Sequence, residues 1–228
     1  METKQYRLCE EVLRRLHSAG VLDGLVVAGS WCLLFYQSYF SSRKFAPTIR
    51  TRDLDLAVPV PPRFRKKTDV TALLDDLGFV IDYRGEAGHM RLMHPDLILE
   101  FLVPERGRGS DAAFDIPALG VNAQRLRYLD LSLSETITVN FRGIPLRLPH
   151  PVRFAFHKLI VADRRHKEKA ENDRAQAAMV LEAVAQTGER GRIKEVYESL
   201  PAKWRRSIHA SLVKSVLPGL IDLVGSAE

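Results

Sequence analysis

The sequence predicts a mixed α+β fold: a mixed sheet with helices on one face, followed by a helical C-terminal segment. Three observations lead there. Apolar runs of strand length, bounded by Gly, Pro and charged residues, recur between residues 24 and 148. Patterns of helical period are interleaved with them. After Pro151 helical pattern dominates. Helices laid against such a sheet bury the apolar surface of both. The expected division is a core domain over residues 1–148 and a helical domain over residues 149–228.

Taken in order, residues 4–18 read as an amphipathic helix, because Tyr6, Cys9, Val12, Leu13 and Leu16 form one stripe. Residues 24–28 are an apolar strand ending at Gly29-Ser30, and residues 30–40 are a helix with Trp31 and Phe35 in the core. Residues 41–47 are a loop. Residues 52–58 are a strand, stopped by Pro59, Pro61 and Pro62. Thr68 caps a helix over 69–77 that Gly78 ends. Strands are expected at 79–84, 89–94 and 97–103, and a mobile polar loop over 105–118. Arg142-Gly143 between strands near 137–141 and 144–148 signals a hairpin. Pro151 suits a first helical position, and Gly188, Gly191, Pro201 and Pro218 break the helical pattern beyond it.

Composition narrows the function classes. A hydrophobic fraction of 46% over 228 residues is enough for a real core. No run approaches the roughly 20 apolar residues of a membrane span, and the start lacks the apolar stretch of a signal peptide. Cys9 and Cys32, the two cysteines, have no metal-site spacing and read as buried thiols in a reducing compartment. The expected location is therefore cytoplasmic, with no membrane partner. Residues 1–141 hold 18 Lys+Arg and 18 Asp+Glu, whereas residues 142–228 hold 16 and 10. The excess of +6 thus sits in the helical part, which suits a polyanion such as a triphosphate or RNA. A solvated helical surface reads the same way.

The chemistry concentrates in Thr51-Arg52-Asp53-Leu54-Asp55-Leu56. Residues two apart on a strand project to the same side, so Asp53 and Asp55 project together. Two adjacent carboxylates repel unless a cation lies between them, and an all-oxygen set suits Mg²⁺. Gly29-Ser30 leads into a helix whose start is an anion site. Glu100 lies inside the apolar run Leu97–Val103 and needs either a cation or an arginine partner. Taken alone, the Asp pair also fits a solvated rim, and Gly-Ser an ordinary helix cap. Arg50 and Arg52 flank the carboxylates, either to bind phosphate or to neutralise them.

Together these residues resemble the signature of the DNA polymerase β-like nucleotidyltransferase superfamily: Gly29-Ser30, Asp53-x-Asp55, and a later strand Glu100. The block Pro149-His150-Pro151 through His157-Lys158-Leu159-Ile160-Val161, followed by Arg164-Arg165, resembles the C-terminal block of the GrbP-like nucleotidyltransferases. AbiEii-type toxin and antibiotic-type nucleotidyltransferases are similar more distantly. The resemblance spans roughly residues 22 to 185. Glu171-Asn172-Asp173 departs from the Lys-Asp that relatives often carry there.

That resemblance implies a nucleotidyltransferase fold and transfer of a nucleoside monophosphate from a nucleoside triphosphate, ATP among them, to a hydroxyl. The acceptor is a tRNA or other RNA, a protein or a small molecule. Two Mg²⁺ ions, or Mn²⁺, are implied at Asp53, Asp55 and Glu100, the last as metal ligand or general base. Gly29, Ser30, Arg52, Lys158, Arg165 and Asp173 are implied in nucleotide binding, so the helical part completes the nucleotide site. Lys158 and Arg165 are seven apart and would share a face of one helix. Pattern alone favours a snorkelling Lys158, and reads His157 as a core histidine. The alternative function is a non-catalytic nucleotide- or RNA-binding module of the same fold, in a toxin–antitoxin pair for example.

Overall fold

A computed structural model describes residues 2–40, 45, 47, 51–105, 107, 109–215, 219 and 221–224. Helix α1 (Glu2–Ser18) buries the expected stripe of Cys9, Val12, Leu13 and Leu16. Its outer side carries the i,i+4 pairs Glu10–Arg14 and Glu11–Arg15. Strand β1 (Val26–Ala28) enters a 3-10 turn, Gly29–Trp31, which passes directly into α2 (Cys32–Phe40). The loop expected at 41–47 lies largely outside the described residues, as do Arg50 and Pro218.

Strand β2 (Asp53–Ala57) is followed by α3 (Val70–Leu74). Its cap is Asp69, not Thr68. The Asp69 carboxylate accepts from the Thr71 and Ala72 backbone N–H groups, while the Thr68 N–H is drawn to the Ala118 carbonyl. Gly78, at φ 82°, ends the turn after α3. Strands β3 (Val80–Arg84), β4 (His89–Met93) and β5 (Ile98–Pro104) match expectation closely.

The stretch expected as a loop over 105–118 instead contains β6 (Phe114–Ile116), which pairs with β7 (Val121–Leu126). Short strands and the five-residue helix α4 (Leu129–Leu133) hold too few residues for a readable period. Strands β8 (Thr136–Phe141) and β9 (Ile144–Pro149) form the expected hairpin. Its central residues Arg142 and Gly143 both take positive φ, the twist that two-residue hairpins require.

Helices α5 (Pro151–Ala162), α6 (Lys167–Gln186), α7 (Arg190–Glu198), α8 (Ala202–Val213) and α9 (Ile221–Val224) follow. Gly188, at φ 86°, makes the break between α6 and α7, whereas Gly191 lies inside α7 and breaks nothing.

The main sheet runs β1-β2-β5-β4-β3, with β7 joined to the far half of β5 and β6 beyond it. Strand β2 is antiparallel to β1 and parallel to β5, so the sheet is mixed as expected. Its two faces differ. Val27, Leu54, Leu56, Leu99, Phe101 and Val103 enter a large core shared with α1, α2, α5 and α8. The opposite face has a smaller buried cluster, Val26, Ala28, Ala57 and Leu102 with Leu129 of α4, and also carries Asp53, Asp55, Glu100 and Arg91. The catalytic candidates lie on this second face.

Candidate active site

Strand register brings the carboxylates together. Reading across the sheet, Ala28 on β1 is opposite Asp55 on β2, Asp55 opposite Glu100 on β5, Glu100 opposite Arg91 on β4, and Arg91 opposite Asp82 on β3. Asp53 shares their face, two residues from Asp55. Leu54 and Leu56 point the other way and are wholly buried. The Asp-Leu-Asp-Leu pattern thus records a strand with one wet face and one dry face. The wet face opens on a cleft of about 830 Å³, whose other wall comes from α5, α6 and the turn between them.

Among the described residues Asp55 has neither an ion-pair nor a hydrogen-bond partner. Burial, and then the negative charge of Glu100 and Asp53, push its pKa up to about 7, although Lys158 and Arg165 pull against this. Burial and Asp53 likewise raise Glu100, against the pull of Arg91, Arg84 and Lys169. The nearest Glu100 contact is loose: Arg91 Nη1 lies 3.9 Å away, because Arg91 pairs closely with Asp82. Glu100 is therefore not locked in a tight buried ion pair.

Gly29 has a steric reason to be glycine. Its φ is +66°, and a Cβ there would lie 1.9 Å from Asp55 Oδ2. The turn can approach the carboxylate only without a side chain. Gly29→Ala is expected to displace Asp55 and to cost at least about 1 kcal/mol from the left-handed backbone alone. A melting temperature unchanged by this substitution would contradict the contact.

The second wall is built on Asp173 of α6, which is 1% exposed. Lys158 Nζ, on α5, donates to Asp173 Oδ1 at 2.7 Å and to Ser30 Oγ at 3.4 Å, and lies 5.7 Å from the Phe154 ring centre. Arg165 Nη1 is 3.0 Å from Asp173 Oδ2. Ser30 in turn donates to Gln176 Oε1 at 3.1 Å. Lys158 is buried and does not snorkel. The helical-face argument for Arg165 fails, however: α5 ends at Ala162, so Arg165 sits in the turn before α6. It meets Lys158 because the chain reverses and both reach one carboxylate.

His157 lines the same cleft with its Nε2 unpaired. Burial, Lys158 and Arg165 lower its pKa to about 4, so it is neutral at pH 7. Arg52 is not part of the assembly. Its guanidinium donates to the Pro95 carbonyl at 2.7 Å, outside the cleft lining. The sequence reading missed Gln176, Arg84 and Arg91. Gln176 lies three residues from Asp173 on α6 and was accessible from helical period. The two arginines gain their place only from strand pairing.

No group of three or more His, Cys, Asp or Glu side chains among the described residues is arranged to hold a metal ion. Nor is any helix among them long and apolar enough to cross a membrane.

Several solved structures are similar to this one over most of the chain. An antigenic nucleotidyltransferase-like protein from Paracoccidioides brasiliensis is similar in structure, with a TM-score of 0.50 at 16% identity, over 93% of this chain and 88% of that one. The solution structure of the antibiotic-resistance factor ANT(2'')-Ia is similar with a TM-score of 0.46 at 15% identity, over 87% and 98%. A crystal structure of ANT(2'')-Ia with adenylyl-2''-tobramycin gives 0.46 at 14%, over 85% and 99%. No curated protein matches the sequence. A family model described as nucleotidyltransferase matches residues 7–201, nearly the whole described fold, and the chain belongs to that nucleotidyltransferase family.

Proposed function

We propose that this nucleotidyltransferase transfers a nucleoside monophosphate from a nucleoside triphosphate to a hydroxyl acceptor, using divalent cations held by Asp53, Asp55 and Glu100. One observation carries the reading. Asp55 is a partnerless carboxylate, in register with Glu100 and on the same face as Asp53. That repulsion is costly in the free protein and is relieved by a cation. The donors are all hard oxygens. Mg²⁺ keeps waters and takes phosphate oxygens, so carboxylates that do not enclose an ion still fit it. Bound there, Mg²⁺ would offset charge on the transferred phosphoryl group and make the acceptor hydroxyl easier to deprotonate.

The chain's own groups do the rest. The Gly29-Ser30 turn receives the triphosphate tail beside Asp55. Lys158 and Arg165 offset charge on the departing pyrophosphate. Asp173 positions both cations, and its hydrogen bond to Lys158 keeps the ammonium aimed at Ser30. In the transfer itself, the acceptor oxygen bonds to the α-phosphorus and the bond from that phosphorus to the β-bridging oxygen breaks. Pyrophosphate leaves with the electron pair, and the acceptor proton passes to Glu100 or to solvent.

Incubation with each α-labelled nucleoside triphosphate, Mg²⁺ and total RNA or lysate tests the reading. Label transfer that disappears in Asp53→Asn supports it; nucleotide retention without transfer or pyrophosphate release defeats it and leaves a binding module. Glu100→Gln adds a second test. It is expected to abolish transfer while the metal-free melting temperature holds or rises, since the substitution removes a repelling charge and breaks no close pair. A large fall in melting temperature with retained activity would return Glu100 to a structural role.

A further inference from the structure

The positive charge of the cleft falls into two separate groups. Its lining includes six Lys or Arg side chains against four carboxylates. Lys158 and Arg165 are used at Asp173, on the Ser30 side. A second group stands at the other end of the carboxylate row. Arg91 is opposite Glu100 in the sheet, and Arg84 shares its face, two residues along β3 from Asp82. Lys169, on α6, lines the same cleft as Glu100, Arg84 and Arg91. Arg84 and Lys169 are exposed and have no ion-pair partner among the described residues.

From this juxtaposition we infer that the acceptor is anionic: its hydroxyl is carried beside a phosphate, as in a sugar phosphate or the 3′ end of RNA, and Arg84, Arg91 and Lys169 receive that phosphate. The inference rests on the proposed transferase reading and names its acceptor class. The triphosphate occupies the Ser30–Lys158 end, so the acceptor hydroxyl must approach from the Glu100 end. Cations bound by the carboxylates neutralise Asp53, Asp55 and Glu100 and leave Arg84 and Lys169 uncompensated. A polycationic acceptor would meet like charge there, and a neutral one would leave these charges unmatched. A phosphate forms charge-assisted bonds with both arginines and the lysine. At about 830 Å³ the cleft is at the upper end of the roughly 300–1,000 Å³ usual for ligand pockets, which leaves room beside a nucleotide.

The test is binding to protein already saturated with a non-hydrolysable nucleoside triphosphate analogue and Mg²⁺. Three probes are titrated: a short oligoribonucleotide with a free 3′-hydroxyl, ribose 5-phosphate, and ribose as the uncharged twin. At least one phosphate-bearing probe is expected to bind where ribose does not. Arg84→Glu with Lys169→Glu should weaken that binding about ten-fold or more, with analogue affinity unchanged. Binding of the oligoribonucleotide alone identifies a polymeric acceptor; binding of ribose 5-phosphate identifies a small one. Absence of binding by both phosphate probes, or binding that survives the charge reversal, overturns the inference while the transferase reading stands. Failure of the unmodified protein to bind the analogue at all defeats that reading and the inference with it.

Discussion

Asp55→Asn is expected to reduce nucleotidyl transfer by at least roughly a hundred- to a thousand-fold and, without metal, to make the protein more stable above pH 7. Both effects come from one carboxylate. Asp55 is held without a partner beside Asp53 and Glu100, and its pKa is pushed up to about 7. An unfolded chain loses that proton near the ordinary value of 3.8. Between these values the folded protein holds a proton that the unfolded one has lost, so stability falls as pH rises through this window. The favourable contribution is complete below about 4 and gone above about 7. Its size is on the order of 4 kcal/mol, and Glu100, raised for the same reasons, steepens the slope.

Melting curves in chelator at pH 5 and pH 8 measure this. The unmodified protein should lose more stability across the range than Asp55→Asn, and Mg²⁺ at pH 8 should restore the former more than the latter. A variant that turns over normally, or one that melts below the unmodified protein at pH 8 without metal, would remove Asp55 from the proposed role.

Lys158→Ala is expected to lower stability and triphosphate affinity together. Lys158 is 6% exposed and its ammonium is 2.7 Å from a nearly inaccessible carboxylate. Removing it leaves Asp173 with Arg165 alone, so the cost should approach, without reaching, the roughly 3–5 kcal/mol of a fully orphaned buried charge. Triphosphate binding should weaken roughly ten- to a hundred-fold, with little change for a monophosphate. A second variant separates the effects. Lys158→Met with Asp173→Asn removes both charges and should recover much of the stability, but not the triphosphate affinity. Calorimetric titration of both nucleotides in Ca²⁺ measures the affinities. If the double variant binds triphosphate as the unmodified protein does, Lys158 has only a structural role.

Local patterning carried a large share of this molecule. The stripe of α1, the strand at Asp53–Ala57, the hairpin at Arg142-Gly143 and the helices after Pro151 each follow from a few neighbouring residues. These features depend on side-chain period and turn chemistry, which act over one or two turns of chain and are therefore written locally. For the same reason β6 and α4 went unseen: three and five residues hold no period, and β6 exists only because β7 pairs with it. The cap on α3 moved by one residue because the Thr68 N–H found a distant carbonyl.

The candidate site divides in the same way. By itself the sequence determined which residues carry charge on a strand, that Asp53 and Asp55 share a side, and that Gly29 ends a strand. Only the tertiary structure decided that Asp55 lies opposite Glu100, some 45 residues later, and that Gly29 touches Asp55 closely enough to forbid a side chain. It alone turned Arg52 outward to Pro95 and brought Arg165 to Asp173 by a chain reversal instead of a helical repeat. Register and chain reversal are set by which apolar faces bury one another across the whole fold, and such long-range pairing leaves no mark in a short stretch of sequence.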